Sequence, residues 1–100
     1  MIYLTQLIYL KEGQESVFHE FEDIAIPLIS KYNGTLLLRI RSDEKSFIAG
    51  SLENPYEIHL VEFPNEQDFI RYGQDEERKK FLHLKAQSIR SSWLIKGEKL

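Results

Sequence analysis

One hundred residues, 42% hydrophobic and with twelve aromatic side chains, point to one folded domain over residues 1–100 and exclude disorder. The absence of cysteine removes disulfides, thiolate nucleophiles and zinc-thiolate sites and suits a reducing cytoplasm. A net charge of −3 argues against a general phosphate-backbone binder, which carries a basic excess.

The first ten residues are apolar but lack the basic start and small-residue cleavage site of a secretion signal. Ile2 to Leu10 reads as a strand ended by Lys11-Glu12-Gly13, with both faces largely apolar. No apolar run approaches the roughly 20 residues of a membrane span, so no membrane partner is expected. From about Gln14 to Tyr32, Val17, Phe18, Phe21, Ile24, Ala25, Leu28, Ile29 and Tyr32 recur at helical spacing. The opposite side is assigned Glu15, His19, Glu20, Glu22, Asp23 and Lys31. Pro27 is expected to kink this helix or mark its re-start, and Asn33-Gly34 to stop it.

Thr35 to Arg41 alternates as a second strand. Ser42 to Pro55 reads as a long, mobile connection, and Tyr56 to Phe63 as a third strand closed by Pro64. Asn65 caps a short helix broken near Gly73, and a second helical piece runs from about Glu76 to Ile89. Trp93, Leu94 and Ile95 form a short last strand. The order β-α-β-β-α-β implies an α+β, ferredoxin-like domain: a four-stranded antiparallel sheet with helices on one face.

Taken by parity, Tyr3, Leu7, Tyr9, Leu37, Val61, Phe63, Trp93 and Ile95 fall on one sheet face, and Leu4, Ile8, Leu36, Leu38, Ile58, Leu60 and Leu94 on the other. Two apolar faces need two covers. The helices supply one, and a second copy of the chain is the simplest supply of the other.

The motifs Pro27-x-x-x-Lys31-Tyr32-Asn33-Gly34 and Glu62-Phe63-Pro64-Asn65, with a final strand ending at Gly97, resemble the domain-of-unknown-function family numbered 1330, within the dimeric α/β-barrel superfamily. The chain departs from that family at Asn33 and Thr35, where a glycine and a basic residue are usual, and at Lys85, where arginine is usual. The resemblance implies a homodimer with a cleft between sheet and helices. It brings no agreed reaction, since the superfamily spans cofactor-independent monooxygenases, haem-degrading enzymes and lactone isomerases.

The candidate catalytic pair is Arg39 and His59, which the alternation sends to the odd face of adjacent strands, where they are expected to bind a carboxylate or enolate and shuttle a proton. Thr5, Tyr9 and Trp93 are the candidate ligand contacts. The competing reading makes Arg39 and His59 a structural patch neutralised by Glu57. His83 on the last helix is weighed as a haem ligand and read as a surface residue; His19 is read as solvated. Metal-ligand spacing, a Gly-rich phosphate loop and the aromatic signature of RNA-recognition domains are all absent, so neither cofactor nor nucleic acid is expected. Two functions remain. One is a cofactor-independent monooxygenase- or isomerase-like enzyme for a small apolar acidic or phenolic metabolite. The other is a non-catalytic dimeric module for small-molecule binding or interaction.

Overall fold

A computed structural model describes residues 1–100. Strands β1 (Ile2–Leu10), β2 (Thr35–Arg41), β3 (Glu57–Phe63) and β4 (Ile89–Gly97) form an antiparallel sheet in the order β2-β3-β1-β4. Helices α1 (Glu15–Leu28), α2 (Glu66–Gly73), α3 (Glu76–Lys80) and α4 (Leu82–Ser88) cover one face. This is the ferredoxin-like arrangement that the element order implies.

The helix α1 carries its apolar stripe onto the sheet and onto α4, where Phe21, Ala25 and Leu84 form one buried cluster. Pro27 lies inside α1 and does not end it; the chain runs on to Leu28 and tightens into a 3-10 turn at Ile29–Tyr32. Asn33 adopts φ 65°, the left-handed stop expected after Tyr32. Gly34 is required for a different reason. A β-carbon there would lie 2.6 Å from Cε1 of Phe63 and 2.7 Å from Cγ2 of Ile29, so only glycine lets β2 start against the second buried cluster, Leu4, Ile29 and Phe63.

Two local departures from the sequence reading have simple causes. The connection 42–55, expected to be irregular, contains a 3-10 turn at Glu44–Ser46 closed by reciprocal Asp43 and Ser46 bonds and tied to Asn54. The last strand is longer than Trp93 to Ile95. Its polar start at Arg90 to Ser92 is an exposed edge and shows no apolar alternation, yet it pairs with β1 as far as Leu10.

The register decides which side chains share a face, because directly paired residues of neighbouring strands point the same way. Leu4 pairs with Val61, Gln6 with His59 and Ile8 with Glu57, so even positions of β1 join odd positions of β3 beneath the helices. Parity does not carry over from strand to strand, and the odd-face and even-face sets expected from alternation are therefore incorrect. In β2 a bulge between Leu36 and Leu38 adds a further change of phase, leaving Leu36 opposite Val61 and Arg39 opposite His59. Both pairs thus face the helices. The open face instead carries Thr5, Leu7, Leu38, Ile40, Ile58, Leu60, Trp93 and Ile95.

Candidate functional site

Between the two buried clusters, a cavity of about 150 Å³ opens under α1, bounded by the sheet below and by α2, α3 and α4 at its sides. Its walls are mainly apolar, with Leu4, Phe21, Ile29, Phe63 and Phe69 among them. Five polar groups reach the same space from the sheet and helices: Gln6, Glu22, His59, Arg78 and Lys85. An apolar concavity with a few converging polar groups is the usual form of a small-molecule site.

Glu22 is the unexpected member. Its charge assigns it to the solvated side of α1, but it is only 7% exposed. It lies four residues after Phe18 and three before Ala25, both buried, and that i, i+4 and i+3 spacing is the signal that marks it as inward-facing. No hydrogen bond or ion pair engages its carboxyl. Burial pushes its pKa from the ordinary 4.5 to about 7, against the pull of Arg39 and ahead of the smaller repulsion of Glu57. Such a group exchanges a proton readily near neutral pH.

Arg39 and His59 do come together, through Glu57. Arg39 donates to Glu57 from Nε at 2.7 Å and Nη2 at 3.2 Å. Arg41 Nη2 donates to Oε2 at 2.5 Å, and His59 shares a hydrogen bond with Oε1 at 2.8 Å. Burial pushes the Glu57 pKa up, but bonds from Arg39, His59 and Arg41 outweigh it and hold the carboxyl at about 2. Glu57 is thus ionised and accepts from Nε2–H of His59. Burial also lowers the His59 pKa, the Glu57 bond opposing it, so the imidazole is neutral and its Nε2 proton is committed. The odd-face placement expected for Arg39 and His59 is corrected: both lie on the helix-covered side, and of the two only His59 lines the cavity.

The remaining candidates do not join them. Thr5 pairs with Ile95, and Trp93 with Leu7, on the opposite face of the sheet. Tyr9 lies near the end of that face under the 42–55 connection, its hydroxyl donating to the Glu53 carbonyl at 2.8 Å. His83 is exposed on α4. His19 is half-buried rather than freely solvated, with Nε2 2.7 Å from the Tyr56 hydroxyl and 3.1 Å from Arg41 Nη2. No group of three or more His, Asp or Glu side chains is placed to hold a metal ion. No helix is long and apolar enough to cross a membrane.

No family model matches the chain, and no curated protein matches it. Solved structures do. A protein of unknown function from Rhodopseudomonas palustris superposes with a TM-score of 0.83 at 14% identity, covering 99% of this chain and 82% of that one. A dimeric protein of unknown function and ferredoxin-like fold from Bacteroides fragilis gives a TM-score of 0.68 at 15% identity, covering 98% and 95%. A DABB family protein with a ferredoxin-like fold from Mesorhizobium loti gives 0.68 at 16% identity, covering 99% and 96%. At these identities the likeness establishes the fold: the chain is a ferredoxin-like α+β protein, structurally akin to proteins whose function is unknown.

Proposed function

We propose that the protein is a cofactor-independent, isomerase-like enzyme that moves a proton on a small, largely apolar metabolite with an enolisable or phenolic group. The observation that carries this is Glu22: a buried carboxyl without a hydrogen-bond partner, set in an apolar cavity under α1. Its carboxylate takes a proton from carbon next to a carbonyl. The C–H bond breaks, an O–H bond forms on Glu22, and the electron pair becomes the C=C bond of an enolate whose charge rests on oxygen. Return of that proton to a different carbon restores the carboxylate and shifts the double bond, so nothing external is consumed. Arg78 and Lys85 line the same cavity and favour the negative charge as it develops. In this reading Arg39 and His59 are positioning residues rather than the expected catalytic pair, acting through Glu57 and the cavity wall.

The enzyme works as a homodimer joined through the open sheet face. Support comes from the apolar residues exposed there and from the structurally similar Bacteroides fragilis protein, described as dimeric. The proton-transfer reading is tested by incubating the protein in D2O with cyclohexanone, levulinate and pyruvate and following loss of C–H signals by NMR. Wild type should accelerate exchange of at least one of them, and Glu22→Gln should not. Equal rates for wild type and variant across all three would overturn it.

A further inference from the structure

The chain has five arginines. Arg39 and Arg41 pair with Glu57, Arg71 with Asp68 and Arg90 with Glu53. Arg78 alone has no carboxylate partner, although it follows Glu76 and Glu77 directly. Its guanidinium turns inward and packs over the rings of Tyr72, 5.0 Å from the centroid, and Phe21, 5.7 Å from the centroid. Nη1 makes one long contact to the Gly73 carbonyl at 3.5 Å. Nε is shielded from solvent and has no acceptor at all. Native proteins seldom leave a buried donor in that condition unless something binds to it. Lys85 lines the same cavity and also has no ion pair, and burial together with Arg78 lowers its pKa. Two cations therefore share a largely apolar space with a single acid, Glu22, that gives up its proton only near neutrality.

We infer that the cavity binds a small organic monoanion of about one ring in size, its carboxylate held by Arg78 with Lys85 beside it. This rests on the proton-transfer reading of the same cavity and adds the charge of its substrate and the residues that select it. Size follows from the cavity, whose 150 Å³ matches an engineered apolar cavity that accepts benzene. Charge follows from the arginine. The Nε and Nη2 edge of a guanidinium presents two parallel N–H groups, the geometry that takes a carboxylate with two bonds. The aromatic rings on which Arg78 packs fix that fork in place before the ligand arrives. Arg39 is not the receptor, because Glu57 already occupies the same edge of its guanidinium. A bound carboxylate satisfies Arg78 and leaves Lys85 to face the second negative charge that forms when Glu22 removes a proton.

Benzoate and its neutral isostere benzamide test this by isothermal titration calorimetry and NMR chemical-shift mapping. Benzoate should bind wild type at least about tenfold more tightly than benzamide, shifting resonances of Phe21, Tyr72 and Arg78. Arg78→Gln should abolish that preference, weakening benzoate far more than benzamide, and Arg78→Lys should restore part of it. Lys85→Gln, further from the aromatic packing, provides a second variant should Arg78→Gln fail to fold; it should weaken benzoate selectively. Benzoate that fails to bind at millimolar concentration, binds no better than benzamide, or keeps its full preference in the folded charge-removing variants would overturn the inference. Glu22→Gln separates the two readings: it should stop proton exchange but keep benzoate selectivity. In that variant, exchange lost together with selectivity defeats only the anion site, and exchange retained with selectivity intact defeats only the proton-transfer reading.

Discussion

Arg39 meets Glu57 through two N–H groups, at 2.7 and 3.2 Å, across adjacent strands, and thereby fixes a carboxylate that is 1% exposed. Removing the acid leaves the buried His59, the half-buried Arg39 and the exposed Arg41 facing one another with no anion between them, whereas removing Arg39 leaves Glu57 with two partners. Glu57→Gln should therefore cost about 3 kcal/mol and Arg39→Leu clearly less, as read from urea midpoints at neutral pH. Because the Glu57 pKa is depressed from 4.5 to about 2, its contribution is fully present above 4.5 and disappears as pH falls through 2. Glu57→Gln should lack that acid limb. Equal costs for the two substitutions would mean that the cluster is not centred on the acid.

Glu22 has the opposite sign. Its carboxyl is harder to ionise in the folded chain than in the unfolded one, so the folded state binds more protons between 4.5 and about 7 and loses stability as pH rises across that window. The displacement corresponds to on the order of 3 kcal/mol at full ionisation. Glu22→Gln should raise the melting temperature at about pH 8 and change it little at about pH 4, where both forms are neutral. A variant less stable than wild type at the higher pH would show that the carboxylate has a partner it is here inferred to lack.

Phe21 is 2% exposed, packs with Ala25 and Leu84, and lines the cavity on its other side. Truncation enlarges a void that the surrounding helices and sheet close only in part. Phe21→Ala should cost on the order of 3 to 5 kcal/mol in chemical denaturation. A loss under about 1 kcal/mol would place Phe21 outside the core.

The architecture was legible because its signals are local. Alternation in β2 and β3, the Phe18 to Tyr32 stripe, the Asn33 stop and the Asn65 cap each depend on a few neighbouring residues. The site was not, because it depends on relations between strands. The antiparallel offset of β1 and β3 and the bulge at Leu36/Leu38 set which residues share a face, and neither leaves a mark in spacing. That Arg39 and His59 are neighbours was readable, as was Glu57 as their neutralising partner. Their burial beneath the helices was not. Glu22 had a readable signal, its place within the Phe18, Phe21, Ala25 stripe, but its charge outweighed its spacing. Arg78 had none: flanked by Glu76, Glu77, Lys79 and Lys80, it looks like one charge among many, and only the tertiary path of α3 brings it to the cavity.

The open sheet face supplies the last prediction. Trp93 is 53% exposed, Ile95 50%, Leu38 45% and Ile40 43%, and together with Leu7, Ile58 and Leu60 they form a continuous apolar surface on one side of a molecule only 16 Å thick along its shortest axis. Apolar area left in water costs about 25 cal/mol per Å², so pairing two such faces removes that cost from both. Light scattering should give twice the 11.8 kDa chain mass. Trp93, the sole tryptophan, should fluoresce at short wavelength when the dimer is intact and shift to the red on dilution, as its indole meets water. Ile95→Glu should produce a monomer with the red-shifted spectrum even when concentrated, because a charge opposite an apolar face has no partner there. A wild-type chain that scatters as a monomer at micromolar concentration would leave this face to a different protein.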